Sequence, residues 1–131
     1  MLGKVSDWMT KELVHVPPAR SAREAIAAME AAGVRHLLVL DGGRLAGILS
    51  ARDLVRVNLT NPGRVLDLDG CTAGEIMTPA PLETTEPETP LARAAARMRD
   101  RGVDALPVLA QGELVGIISA ADVLRAVAQG E

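Results

Sequence analysis

The stretch Gly47-Ile48-Leu49-Ser50-Ala51-Arg52-Asp53 returns as Gly116-Ile117-Ile118-Ser119-Ala120-Ala121-Asp122, an offset of 69 residues. The register extends upstream, where Gly33 answers Gly102 and Met29 answers Met98. Further back, Met9-Thr10 answers Met77-Thr78 at an offset of 68, so the second copy has gained one residue between its lead-in segment and its first helix. A string held in register over most of a 131-residue chain is one supersecondary unit used twice.

Working outward from the repeated string, each copy reads as β–α–β–β–α. In the first, Ser21-Ala22-Arg23-Glu24 has capping-box spacing and opens an amphipathic run that stops at Gly33. In the second, Thr89 is the expected cap, Pro90 suits the first helical position, and an Ala/Arg-rich run stops at Gly102. Each glycine is followed by two apolar runs separated by a short turn, Asp41-Gly42-Gly43 or Ala110-Gln111-Gly112, which is the pattern of a β-hairpin. Pro107 lies inside one of these runs and cannot donate to a ladder, so it belongs at an edge or a strand start. A second helix follows each repeated string, from Ala51 to about Val57 and from Ala120 to about Ala128. Extended segments lead in at Leu13–Val16 and Leu82–Thr85. The expected organisation is repeat 1 over residues 1–58, a linker over 59–72 containing Asn61-Pro62-Gly63 and Asp69-Gly70, and repeat 2 over 73–131. Neither repeat alone is long enough to bury a sheet face, so the expected fold is α/β (α+β), with two pseudo-twofold-related repeats packed through their sheets. That arrangement creates two related clefts.

The polar pair in each string sits at a strand-to-helix junction. Ser50 and Ser119 stand where an N-cap belongs, and Asp53 and Asp122 stand three residues on, where a carboxylate complements the positive end of the helix dipole. A capping role alone explains such a pair. Both copies nevertheless keep the whole string, although their first helices begin with different chemistry. A carboxylate accepts two hydroxyl hydrogen bonds, as a vicinal diol offers them, and a helix N-terminus suits an anion nearby. A ribose with its phosphates meets both demands.

Composition narrows the remaining classes. Net charge is −3 with no Lys/Arg block, and Trp8 is the only aromatic residue, which argues against nucleic-acid binding and against an anionic membrane surface. No run approaches membrane-spanning length and no signal-peptide pattern opens the chain, so a cytoplasmic location is expected. Cys71 is alone, which excludes an intrachain disulfide or a cysteine-based zinc cluster, and His15 and His36 have no companions at metal-ligand spacing. His15 reads as solvent-facing or packed. The four paired methionines, Met9, Met29, Met77 and Met98, read as core. Arg93, Arg97, Arg99 and Arg101 read as a solvated helix face, and Asn58-Leu59-Thr60 as a chance sequon. There is no nucleophile elbow or Gly-rich phosphate loop, so an enzyme is not expected.

The chain resembles a tandem pair of cystathionine-β-synthase-type (CBS) domains, a Bateman module, over essentially all its residues. The carriers are Val5-Ser6-Asp7-Trp8-Met9-Thr10, Ala73-Gly74-Glu75-Ile76-Met77-Thr78, Leu106-Pro107-Val108 and the two Ser-x-x-Asp strings. The resemblance implies a regulatory module that binds adenosine-containing ligands such as AMP, ADP, ATP, S-adenosylmethionine or a dinucleotide, with no required cofactor. It gives the ribose hydroxyls to Asp53 and Asp122, with Ser50 and Ser119 near ribose or phosphate. Each cleft is shared between copies: the one containing Asp122 draws on Val5, Met9, Val14, Arg35 and His36, and the one containing Asp53 on Ile76, Leu82, Asp104 and Ala105. Arg35 and His36 make the Asp122 cleft the more cationic. Asp104 stands in the place of Arg35 in the other, where Arg52 can compensate, and Leu37-Leu38-Val39 departs from the apolar-Pro-Val pattern. If only one cleft is occupied, it is expected to be the one containing Asp122. The resemblance also implies a homodimer acting on an unknown effector protein. Met1 and a full lead-in segment point to a stand-alone chain. The alternative is a ligand-free dimerisation scaffold with vestigial clefts.

Overall fold

Two consecutive residues with positive φ close each hairpin. In the computed structural model, which describes residues 2–60 and 67–130, β2 (His36–Asp41) pairs antiparallel with β3 (Arg44–Ser50), and β5 (Ala105–Ala110) with β6 (Glu113–Ser119). The turns are Gly42 at φ 59° and Gly43 at 84°, then Gln111 at 52° and Gly112 at 82°. Positive φ at both central residues gives the turn whose twist matches that of the flanking strands. Each ladder shifts register once, between Val39 and Leu40 and between Val108 and Leu109, so the repeat extends to its irregularities.

Helix α2 (Ala22–Ala32) begins as the sequence indicates, with Ser21 Oγ accepting the Glu24 amide at 3.1 Å. Helix α5 (Leu91–Arg101) does not begin as expected: Pro90 occupies the cap position and no side chain caps the helix, so Thr89 has no capping role. The Gly3 carbonyl takes the Leu91 amide instead, at 2.9 Å. Main chain does the same at α2, where Ala22 and Arg23 donate to the Cys71 and Leu68 carbonyls. Both helices stop at a left-handed glycine, Gly33 at φ 67° and Gly102 at 68°.

The chain divides into two units, one of Met1–Leu13 with Leu82–Glu131 and the other of Val14–Pro81. Each unit therefore takes its hairpin from one sequence repeat and, from the other, the Met-Thr lead-in, residues 5–10 or 73–78, that precedes the extended segment. Helix α1 (Val5–Trp8) belongs with β5, β6 and α5, and α4 (Ala73–Ile76) with β2, β3 and α2. The cores reflect this exchange. Val5 packs with Leu91, Ala94, Met98, Leu106, Val108, Ile118 and Ala126, and Ala73 and Ile76 pack with Ala25, Met29, Leu37, Val39 and Leu49. Met29 and Met98 are core residues, with Met9 and Met77 packed at the margin, as expected from their pairing.

The crossing points explain the repeated glycine. Thr10 exchanges backbone hydrogen bonds with Ile117, at 2.9 and 3.0 Å, and β4 (Thr78–Pro79) pairs with Gly47 and Ile48. A Cβ on Gly116 would lie 2.8 Å from Met9 Sδ and 2.9 Å from the Thr10 carbonyl, and one on Gly47 would lie 2.6 Å from the Thr78 carbonyl. Only glycine lets the lead-in lie this close.

Pro107 and its counterpart Leu38 make the two sheets unequal. The Leu38 amide donates to the Val14 carbonyl at 3.1 Å, and β1 (His15–Val16) runs parallel to β2 as part of a four-stranded sheet, β1-β2-β3-β4. Pro107 has no amide to offer, and in its unit the lead-in pairing shrinks to a single bridge between Thr85 and Val108. Its carbonyl accepts from Thr85, so its ring nitrogen faces away from β6 and breaks no bond of that ladder. The hairpins run into α3 (Ala51–Thr60) and α6 (Ala120–Gln129), each slightly longer than expected. The expected Asn61-Pro62-Gly63 turn lies outside the described residues. The Asp69-Gly70 part of the linker is a turn held by the Asp67 carboxylate, which accepts the Asp69 and Gly70 amides.

Gly116→Ala is expected to destabilise the fold by about 1–3 kcal/mol, because the methyl group meets a main-chain carbonyl that cannot move without breaking the Thr10–Ile117 pair. Urea unfolding checks this. A midpoint equal to that of the unsubstituted protein would mean that the lead-in does not cross there.

Candidate functional site

The two Ser-x-x-Asp strings adopt one local geometry. Ser119 caps α6 with φ −123° and ψ 166°; its Oγ accepts the Asp122 amide at 3.3 Å, and its own amide donates to Asp122 Oδ2 at 2.9 Å. The Ser119 hydroxyl also donates to Oδ2, at 3.1 Å. In the other unit the Ser50 amide donates to Asp53 Oδ2 at 2.8 Å and the Ser50 hydroxyl to the same atom at 3.2 Å. One oxygen of each carboxylate is thus given to the helix start, as the capping reading of the sequence requires.

The second oxygen of each carboxylate faces a side-chain donor. Asp53 Oδ1 accepts from the Thr78 hydroxyl at 2.8 Å, and Asp53 is 6% exposed. Asp122 Oδ1 accepts from Arg125 Nη2 at 2.9 Å, with the Asp122 side chain 13% exposed and that of Arg125 48%. Sequence reasoning did not single out Thr78 or Arg125. The signals were present: Thr78 follows Met77 in the repeated lead-in, and Arg125 stands one helical turn beyond Asp122.

Membership of the units sorts the remaining expected residues. Val5, Met9, Leu82, Asp104 and Ala105 lie in the unit of Ser119 and Asp122, while Val14, Arg35, His36, Arg52 and Ile76 lie in the unit of Ser50 and Asp53. Because the lead-ins are exchanged, Asp122 and the residues Val5 and Met9 from the other sequence copy come together within one unit, as do Asp53 and Ile76. Val5 and Ile76 are core residues, with 0% and 2% exposure. His36 begins β2 opposite Ser50, and Ala105 begins β5 opposite Ser119. The Asp104 carbonyl accepts the Ala120 amide at 2.9 Å, fixing the start of α6 from behind. Arg35 and Arg52 are exposed, His36 and Leu82 half-buried, and His15 exposed.

Other titratable groups support structure. Arg23 donates to Asp69 at 2.8 Å, and that bond and charge hold its guanidinium above the usual range. Burial, with Glu75 and Asp67 nearby, pushes the Cys71 thiol up, so little of it is the reactive thiolate at neutral pH. In the arginine run, Arg97 donates to the Thr84 carbonyl, Arg99 pairs with Asp100 and Arg101 with Glu83, all on an exposed face. Among the described residues no group of three or more His, Cys, Asp or Glu could hold a metal ion, and no helix is long and apolar enough to cross a membrane.

A family model described as "CBS domain" matches residues 5–59 and again 73–129. The CBS domain-containing protein YhcV of Bacillus subtilis is 30% identical over 121 residues, 92% of this chain and 83% of that protein. The crystal structure of an uncharacterized conserved protein from Pyrococcus horikoshii superimposes with a TM-score of 0.87 at 29% identity, covering 100% of this chain and 96% of that one. The CBS domain pair of protein MJ0100, in complex with 5-methylthioadenosine and S-adenosyl-L-methionine, superimposes with a TM-score of 0.80 at 25% identity over 95% of this chain and 98% of that one. Two family matches spanning most of the sequence, each ending in a Ser-x-x-Asp helix start of common geometry, identify the chain as a tandem CBS-domain protein.

Proposed function

We propose that this chain is a regulatory module that senses an adenosine-containing ligand, with the carboxylates of Asp122 and Asp53 accepting the ribose 2′- and 3′-hydroxyls. The observation that carries the reading is the division of labour in each carboxylate: Oδ2 is committed to the helix start, while Oδ1 points to a partner that a sugar hydroxyl can replace or join. Each carboxylate oxygen has two lone-pair sites, so Asp122 Oδ1 can accept a hydroxyl beside the Arg125 donor or in its place. The adenosine-type ligands held by the MJ0100 domain pair support the ligand class. Ser119 and Ser50 stand beside ribose or phosphate, and Arg52 adds positive charge for a phosphate-bearing ligand at Asp53. Asp122 is the preferred site, because the Asp53 carboxylate is the more deeply buried. The module is regulatory rather than catalytic, its output passing to an effector protein or to a second copy of itself.

A second copy is favoured by a separate observation. Leu124 and Val127 on α6 are 70% and 58% exposed, and Val55 on α3, the counterpart of Leu124, is 58% exposed. Three large apolar side chains left in water on the last helix of each repeat suit a homodimer built through these helices. This surface serves a scaffold equally well, so the ligand test decides between sensor and scaffold.

At about 100 times its dissociation constant, the correct ligand is expected to add roughly 2.7 kcal/mol of stability and to raise the melting midpoint by several degrees. AMP, ADP, ATP, S-adenosylmethionine and NADH are compared with guanosine analogues on nucleotide-free protein. Asp122→Asn is the informative variant, since it keeps an acceptor for the Ser119 amide; Asp122→Ala also removes the helix start and costs about 1 kcal/mol of folding stability. The sensor reading requires a shift for an adenosine ligand that Asp122→Asn abolishes, and the absence of any shift returns the chain to the scaffold reading. Leu124→Glu is expected to convert the dimer to a monomer in sedimentation analysis without loss of folding; a sedimentation profile equal to that of the unsubstituted protein contradicts the helical interface.

A further inference from the structure

Arg125 does more than neutralise Asp122. Its Nη2 donates to Asp122 Oδ1 at 2.9 Å and lies 3.2 Å from the Trp8 carbonyl oxygen, and its guanidinium carbon lies 5.2 Å from the centroid of the Trp8 ring. That is within the range of a cation–π contact. Trp8 is the last residue of α1, and its indole Nε1 donates to the Leu2 carbonyl at 2.9 Å, so the ring is anchored at its other end. One side chain thus joins the proposed ribose-binding carboxylate to the end of the lead-in helix and to the segment before it. The other unit has no aromatic residue at the end of its lead-in helix. Ile76 occupies the place of Trp8, and a neutral Thr78 hydroxyl meets Asp53 Oδ1.

Resting on the ligand reading above, we infer that Arg125 is a latch that competes with the ligand's sugar hydroxyl for Asp122 Oδ1 and reports occupancy to α1 through Trp8. An exposed ion pair of this kind is worth at most about fivefold in an equilibrium constant, so a diol can displace it. When the guanidinium leaves Oδ1 it also leaves the Trp8 carbonyl and ring, because the same Nη2 makes both hydrogen bonds. The last turn of α1 loses its tie to α6, and the binding event becomes a change in the lead-in segment that starts the chain. The Trp8 arm of the device belongs to Asp122 alone, because Ile76 stands where the other repeat would need an aromatic ring.

Trp8 is the only aromatic residue, so intrinsic emission reads this contact alone. AMP, ATP and S-adenosylmethionine are titrated into the unsubstituted protein and into Arg125→Gln, with binding followed by calorimetry and Trp8 by fluorescence. The latch requires that the bound ligand change Trp8 emission in the unsubstituted protein. Arg125→Gln should show the altered emission before ligand is added, respond no further, and bind about two- to fivefold more tightly, in keeping with the removal of an exposed ion pair. Arg125→Met, which keeps the aliphatic stem over the ring, gives the same readings if Arg125→Gln does not fold. Equal or weaker binding by the variant, or calorimetric binding with unchanged Trp8 emission, overturns the latch while leaving the ligand reading intact. No heat with any of the three ligands overturns both.

Discussion

The close approach of a main-chain strand to a glycine governs this protein. At Gly116 and Gly47 the Met-Thr lead-in lies over the hairpin with its carbonyl where a Cβ would stand. That contact orders the lead-in helix, places Val5 or Ile76 in the core, and welds the start of one sequence repeat to the strands of the other. Three residues after each glycine the strand ends in the serine that starts the next helix, so the constraint that assembles the unit also positions the carboxylate. Fold and proposed site share one string because the strand that must admit a neighbour is the strand that delivers Ser and Asp.

The same design tolerates differences where the constraint is absent. A missing amide at Pro107 shortens the pairing of a lead-in strand from two residues to one bridge, yet leaves the hairpin intact because the ring nitrogen faces outward. Contacts to Thr78 at Asp53 and to Arg125 at Asp122 leave the helix start untouched, because the cap uses the other oxygen. Two carboxylates of common backbone origin thus differ in accessibility. In the proposed reading this asymmetry makes one site responsive and the other subordinate.

Much of this was legible in the sequence, since local chemistry determines it. The Ser21 cap, the glycine stops at Gly33 and Gly102, both tight turns, the paired methionines and the outward-facing Pro107 follow from short-range rules. The cap of α5 was not legible: Gly3 supplies the acceptor from more than eighty residues away, and a main-chain carbonyl carries no residue-type signal. The exchange of lead-ins is not legible in local residue chemistry, as backbone pairing at Thr10 and Thr78 looks alike whichever hairpin receives it; only the family resemblance set Val5 and Met9 with Asp122 and Ile76 with Asp53. Arg125 was missed because an arginine on a polar helix face has an adequate surface explanation until its distance to Asp122 and Trp8 is measured.

The central claim is that a carboxylate which starts a helix with one oxygen accepts a ribose diol with the other. Calorimetric titration with the adenosine ligand that binds, alongside its 2′-deoxy and 3′-deoxy analogues, tests this without altering the protein. A site built to bond a hydroxyl leaves a polar group unpaired when that hydroxyl is missing, so each analogue is predicted to bind about tenfold or more weakly than the parent. Deoxy analogues that bind as tightly as the parent would contradict the account, because the carboxylates of Asp122 and Asp53 would then be helix starts and nothing more.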